Sequence, residues 1–161
     1  MEYAEFREHL HGRITGMAPD DQLRFALEIC KRLYPHYARF HDVHKWGDPE
    51  ILLDCIRVFE NVLQGQRDIV VVSDLRSRVD AVIPDTEDFG DFNGSYALNA
   101  SAAVAYTLQF VLEQSPENVF HAATLCYDTA DLRVSESGVL DEREIERHPI
   151  IEEARRFLLG Q

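Results

Sequence analysis

The chain has 161 residues, 45% of them hydrophobic and 28% charged, a composition that suits one globular domain over residues 1–161, able to bury about two-thirds of its unfolded surface. Sixteen Lys and Arg against twenty-nine Asp and Glu leave a formal charge of −13. That balance excludes nonspecific binding to nucleic acid or to an anionic membrane, since both need clustered cations, and leaves a basic protein partner, cation binding or simple solubility.

The start of the chain, Met1-Glu2-Tyr3-Ala4-Glu5-Phe6-Arg7, lacks a basic end and an apolar run, so no signal peptide is expected. Residues 3 to 11 predict a first helix with Phe6 and Leu10 on one face, broken by the stretch Gly12 to Pro19. Asp20 and Asp21 are suited to cap a second helix carrying Leu23, Leu27, Cys30 and Tyr34 on one face. Pro35 cannot donate a backbone hydrogen bond, so this helix should end or kink near Tyr34 and restart through Tyr37, Phe40 and Val43.

Gly47-Asp48-Pro49-Glu50 reads as a stop followed by a restart: Asp48 as N-cap, Pro49 at the first helical position, Glu50 at the positive end of the dipole. The helix it opens should bury Leu52, Cys55, Ile56 and Phe59 and close around Gly65. Asp68-Ile69-Val70-Val71-Val72 looks locally like a strand, but no second strong strand exists to pair with it. A helix over about 68–82, with Leu75, Val79 and Val82 inward, is therefore preferred.

Residues 83 to 114 organise the rest. An acidic loop, Ile83-Pro84-Asp85-Thr86-Glu87-Asp88-Phe89-Gly90-Asp91-Phe92-Asn93-Gly94, precedes a helix from about Ser95 to Leu112 that is small or apolar on nearly every side. Such a helix has to be buried on nearly every side, and its alanines let neighbours approach closely. Its length raises the possibility of a membrane span, but Asn99, Gln109 and several hydroxyls lower its hydrophobicity, and no Lys or Arg anchors its ends. Ser115-Pro116-Glu117 starts another helix, with Val119, Ala122, Cys126 and Ala130 on one face, ending at Gly138. Asp141 and Glu144 form a capping-box-like start, and His148-Pro149 opens a last helix with Ile151, Phe157 and Leu158 on its apolar side. The expectation is an all-α, single-domain bundle of about seven or eight helices around a buried, Ala-rich central helix.

Four segments together resemble a known family. They are Ile29-Cys30-Lys31-Arg32-Leu33-Tyr34-Pro35-His36-Tyr37-Ala38-Arg39-Phe40, the turn Trp46-Gly47-Asp48-Pro49, the loop Ile83-Pro84-Asp85-Thr86-Glu87-Asp88-Phe89, and Glu146-Arg147-His148-Pro149-Ile150-Ile151-Glu152-Glu153. Their order and spacing resemble the bacterial YjaG-like family, a domain-of-unknown-function family. The resemblance spans roughly residues 20 to 155 and implies an all-α cytoplasmic bacterial protein, with no activity to carry over.

The acidic loop is the first site candidate. Asp85, Glu87, Asp88 and Asp91 offer hard oxygen ligands to calcium or magnesium, and Gly90 falls at the sixth position of a calcium loop counted from Asp85. Phe89 at the fifth and Tyr96 at the twelfth position break that pattern. The preferred structural role is to cap the helix that follows, with Phe89 and Phe92 folding into the core; the preferred functional role is contact with a basic protein. His36, His41 and His44 form the second candidate. His41 and His44 lie three apart and could share a helical face as a metal pair, with a third ligand from the loop. No HExxH or di-iron Glu-x-x-His pattern supports it.

Cys30, Cys55 and Cys126 show no CxxC spacing and sit in apolar helical patterns, as buried thiols in a reducing cytosol would. No nucleophile elbow and no glycine-rich phosphate loop occurs, so no catalytic residue and no cofactor is assigned. Tyr96 and Tyr106 are expected to pack with satisfied hydroxyls. The functional expectation is a non-catalytic protein–protein interaction module, homodimeric or inhibitor-like (an immunity-type protein covering a basic site). The alternatives are a metal-binding protein or metal-dependent enzyme using His41, His44 and the acids of 85–91, and a ligand pocket beside the small residues of the central helix.

Overall fold

The computed structural model describes residues 1–139 and 141–161. Among them the chain forms eight α-helices and no strand: α1 (Tyr3–Thr15), α2 (Pro19–His44), α3 (Pro49–Leu63), α4 (Ile69–Asp80), α5 (Phe92–Glu113), α6 (Pro116–Glu136), α7 (Glu142–Glu146) and α8 (Pro149–Leu159). The all-α expectation is met, and α5 is the central post. Ala97, Ala100, Ala103, Val104, Leu108 and Val111 are all but inaccessible. Because alanine adds so little to the helix radius, α2 and α6 pack along α5 on two sides and α4 on a third. α3 closes against α2 and α4, while α1 and α8 cover α6.

The restart at residues 47–50 forms as the sequence indicates. Asp48 accepts a hydrogen bond from the Glu50 N–H at 3.0 Å, and Pro49 opens α3. The valine-rich stretch is helical, as preferred: Asp68 caps α4 through the N–H groups of Val70 and Val71, and Val72, Leu75 and Val79 turn inward. The helix wins because its one apolar side meets α5 and α3, whereas a lone strand would leave its backbone groups unpaired.

Several expectations need correction. α1 does not stop before Gly12; it runs to Thr15, burying Ile14 completely. The cost of a mid-helix glycine is about 1 kcal/mol, less than the roughly 1.5–3 kcal/mol from burying that isoleucine. α2 starts at Pro19, so Asp20 and Asp21 lie in its first turn beside the dipole, and no side chain caps it. α2 also continues through Pro35 as one helix to His44. Burial of Tyr37 and Phe40 against the core outweighs the roughly 3 kcal/mol of a helical proline. Phe92 does not fold into the core; it begins α5 and is 39% exposed, leaning on the Tyr96 ring. Ser115 occupies the N-cap position of α6 without a capping bond, and at α7 Asp141 makes its half of the capping box, accepting from Arg143 and Glu144. Tyr106 is 37% exposed, with its ring against His121.

Polar side chains tie helix ends together across the bundle. Arg13 donates to the Leu158 carbonyl at 2.7 Å and Arg67 to the Val111 carbonyl, each satisfying an orphan carbonyl in the last turn of another helix. Gln22, buried, donates to the Ile14 carbonyl at 2.9 Å, and Asn99 reaches the Thr129 hydroxyl from α5 to α6.

Candidate functional site

The acidic loop is pinned at both ends. Asp85 accepts the Glu87 N–H on its carboxylate at 2.8 Å, and its carbonyl accepts the N–H groups of Asp88 and Phe89, a compact turn built on one aspartate. Phe89 enters an aromatic cluster, with ring centroids 5.0 Å from Phe40, 5.1 Å from His44 and 5.3 Å from Trp46. Gly94 permits this: a Cβ there would lie 2.2 Å from the Phe89 carbonyl oxygen. The capping role falls to Asp91, whose carboxylate accepts the Gly94 N–H at 2.9 Å and also meets His44 Nε2 at 2.9 Å. Burial acts to raise the Asp91 carboxyl pKa, but the bond from Gly94 and the bond and charge of His44 outweigh it and hold it below the usual carboxylate value. Asp85, Glu87 and Asp88 are exposed and, among the described residues, paired with no cation. All four acids are exposed, and Asp91 alone is also committed to the helix.

His41 and His44 part company. His41 Nδ1 lies 3.0 Å from the Trp46 carbonyl, and His44 turns to Asp91. Among the described residues, no group of three or more His, Cys, Asp or Glu is placed to hold a metal ion. His36 stacks on the Tyr96 ring at 4.9 Å, and the Tyr96 hydroxyl donates to the Glu136 carboxylate. Desolvation, then the charges of Arg133 and Arg39, push the His36 pKa down against the opposing pull of Glu136.

A different face emerges between α3 and α4. Ile69, Val70 and Val71 stay 45%, 78% and 42% exposed on the first turn of α4. Val70 and Val71 border a groove of about 520 Å³ with Val58 and Leu75 on its walls and Asp54, Arg57, Asp74 and Arg78 around it. The apolar burst that looked like a strand is a helix with Val72 facing the core and its three predecessors facing out.

The comparisons with known proteins agree with this architecture. A family model described as "Protein of unknown function (DUF416)" matches residues 9–159. The chain belongs to the DUF416 family. The crystal structure of a DUF416 family protein from Shewanella baltica OS155 superposes with a TM-score of 0.80 at 21% identity, covering 93% of this chain and 82% of that one. At that identity the likeness establishes the shared fold. No curated protein matches, so the family membership brings no activity with it.

In this DUF416 chain the Trp46-Gly47-Asp48-Pro49 turn and the Ile83–Phe89 loop meet in space. Tyr37 links them: its hydroxyl donates to the Val82 carbonyl at 2.6 Å and accepts the Asp48 N–H at 3.3 Å. Burial pushes the Tyr37 hydroxyl pKa up to about 12. Sequence reading missed this latch. Its only trace was a tyrosine two residues after a helical proline, a weak signal. The cysteines are free and buried as expected, with desolvation raising each thiol pKa to about 12. Their thiolates are therefore scarce at neutral pH. Among the described residues no helix is long and apolar enough to cross a membrane.

Proposed function

We propose that this chain is a non-catalytic protein-interaction module whose contact face lies on α3 and α4. The observation that carries the reading is the run Ile69-Val70-Val71, consecutive large hydrophobics left exposed, the last two of them on an apolar groove. A contiguous apolar patch rimmed by charge marks a protein contact far more often than scattered exposed residues do. The suppressed thiols support the non-catalytic part of the reading. The test compares Val70→Asp with wild type. Because Val70 is exposed, the substitution leaves the fold intact. A partner identified with the wild-type chain should bind it in purified form and fail to bind Val70→Asp; equal binding by both forms overturns the reading.

A second contact, to a basic protein, is favoured by the pinned loop. The turn fixes the Asp85 carboxylate and the backbone that carries Glu87 and Asp88, without a cation, so little backbone ordering entropy is lost on binding. An inhibitor-like role against a basic site would make that association fast and salt-sensitive. Asp85→Asn, Glu87→Gln and Asp88→Asn together should abolish a low-salt pull-down from native lysate. Unchanged capture leaves the loop as a structural turn only.

A further inference from the structure

We infer that the α3–α4 face seats a second copy of this chain, related by a two-fold axis. The inference rests on the interaction reading above and names its partner. A two-fold interface places one patch against itself, so the patch must carry both halves of every contact. This one does. The ridge of Val70 and Val71 stands beside the groove walled by Val58 and Leu75, giving each copy a projection and a recess of matching apolar character. The groove continues past Val58 and Val71 toward Asn61, Gln66, Arg67 and Asp68.

The charge around the face selects the same occupant. Two chains of formal charge −13 repel over most of their surfaces. Here, however, Asp54, Asp68 and Asp74 are balanced by Arg57, Arg67 and Arg78 along the groove, with Glu50 also reaching Arg57 at 4.0 Å, which leaves the lining close to neutral in a strongly acidic chain. Asp54 and Arg57 already pair within the chain at 2.7 Å. Asp74 and Arg78 lie one helical turn apart and, among the described residues, neither is in an ion pair. Each is free to meet its opposite on the other copy. A strongly basic partner would be drawn instead to the uncompensated acids of residues 85–88, away from this neutral face.

The test is sedimentation velocity from about 1 to 100 µM, a span that covers ordinary dimer affinities, in about 0.15 M salt, where the Debye length is about 8 Å and the general repulsion is screened. Wild type, Val70→Asp and Val43→Asp are compared; Val43 is 55% exposed on α2 and serves as the control. The expected result is twice the monomer mass for wild type and Val43→Asp, and monomer for Val70→Asp with an unchanged helical circular dichroism spectrum. A wild type that stays monomeric overturns the inference, as does a dimer that survives Val70→Asp. A monomeric wild type that still binds a different purified protein through Val70 overturns self-association alone and leaves the interaction reading standing.

Discussion

The Tyr37 hydroxyl sits 2.6 Å from the Val82 carbonyl oxygen and joins α2 to the segment just after α4. The Tyr37 hydroxyl also accepts the Asp48 N–H, so one buried phenol satisfies polar groups from two connections. Tyr37→Phe leaves a carbonyl and an N–H without their partner, at about 1–3 kcal/mol for an unsatisfied buried group. Chemical denaturation should show a lower midpoint with an unchanged slope.

Gly47 lies against that hydroxyl at φ +80°, and a Cβ there would fall 2.2 Å from the Tyr37 oxygen. Gly47→Ala therefore combines left-handed backbone strain with a clash against a side chain that is already hydrogen-bonded. The expected loss exceeds that of Tyr37→Phe. The double variant, measured in the same denaturation experiment, should lose less than the sum, because removing the hydroxyl relieves the clash.

Asp91 caps α5 and binds His44, so Asp91→Ala should cost about 0.5–2 kcal/mol at neutral pH, as N-cap removal generally does. The Asp91 carboxyl pKa is lowered in the folded chain. Its contribution is therefore present above the unfolded carboxylate range and is lost as pH falls through the lower folded value. The stability difference between wild type and Asp91→Ala should narrow below about pH 4. A difference independent of pH would show that the carboxylate charge plays no part.

His36 runs the other way. Burial and the neighbouring arginines lower its pKa, so the unfolded chain takes up a proton that the folded chain resists. Stability should fall as pH drops through about 6.5, the unfolded histidine value, toward the lower folded value. His36→Phe keeps a ring against Tyr96 and removes the titration; its stability should change less than that of wild type between about pH 7.5 and 5.

The thiols offer a check on packing. With Cys30, Cys55 and Cys126 buried and their pKa values raised to about 12, a thiol reagent at mildly alkaline pH should label none of them in the folded chain and all of them in denaturant. Labelling of Cys30 in the folded state would contradict its contact with the Thr107 hydroxyl at 3.3 Å.

Much of the fold was legible in the chain itself, wherever the signal was local. The Asp48-Pro49 start, the uncharged run of α5 and the apolar faces of α3 and α6 each encode their own element through spacing, capping and burial demand. The candidate sites were legible only as residue types. The acidic loop could be marked from its carboxylates and expected to cap the helix that follows, but nothing in the order Asp85, Glu87, Asp88, Asp91 said that the last would be the cap or would meet a histidine 47 positions away.

Local rules failed where tertiary burial outweighed them. Gly12 and Pro35 carry breaker chemistry, yet α1 and α2 run through both, because Ile14, Tyr37 and Phe40 gain more from the core than the backbone loses. Helical state, charge and buried thiols were determined by the sequence through composition and periodicity. The latch at Tyr37, the pairing of His44 with Asp91 and the outward turn of Ile69, Val70 and Val71 were decided by tertiary structure alone. Each depends on which helix arrives beside which, a relation set by the packing of distant apolar faces and written in no single stretch of the chain.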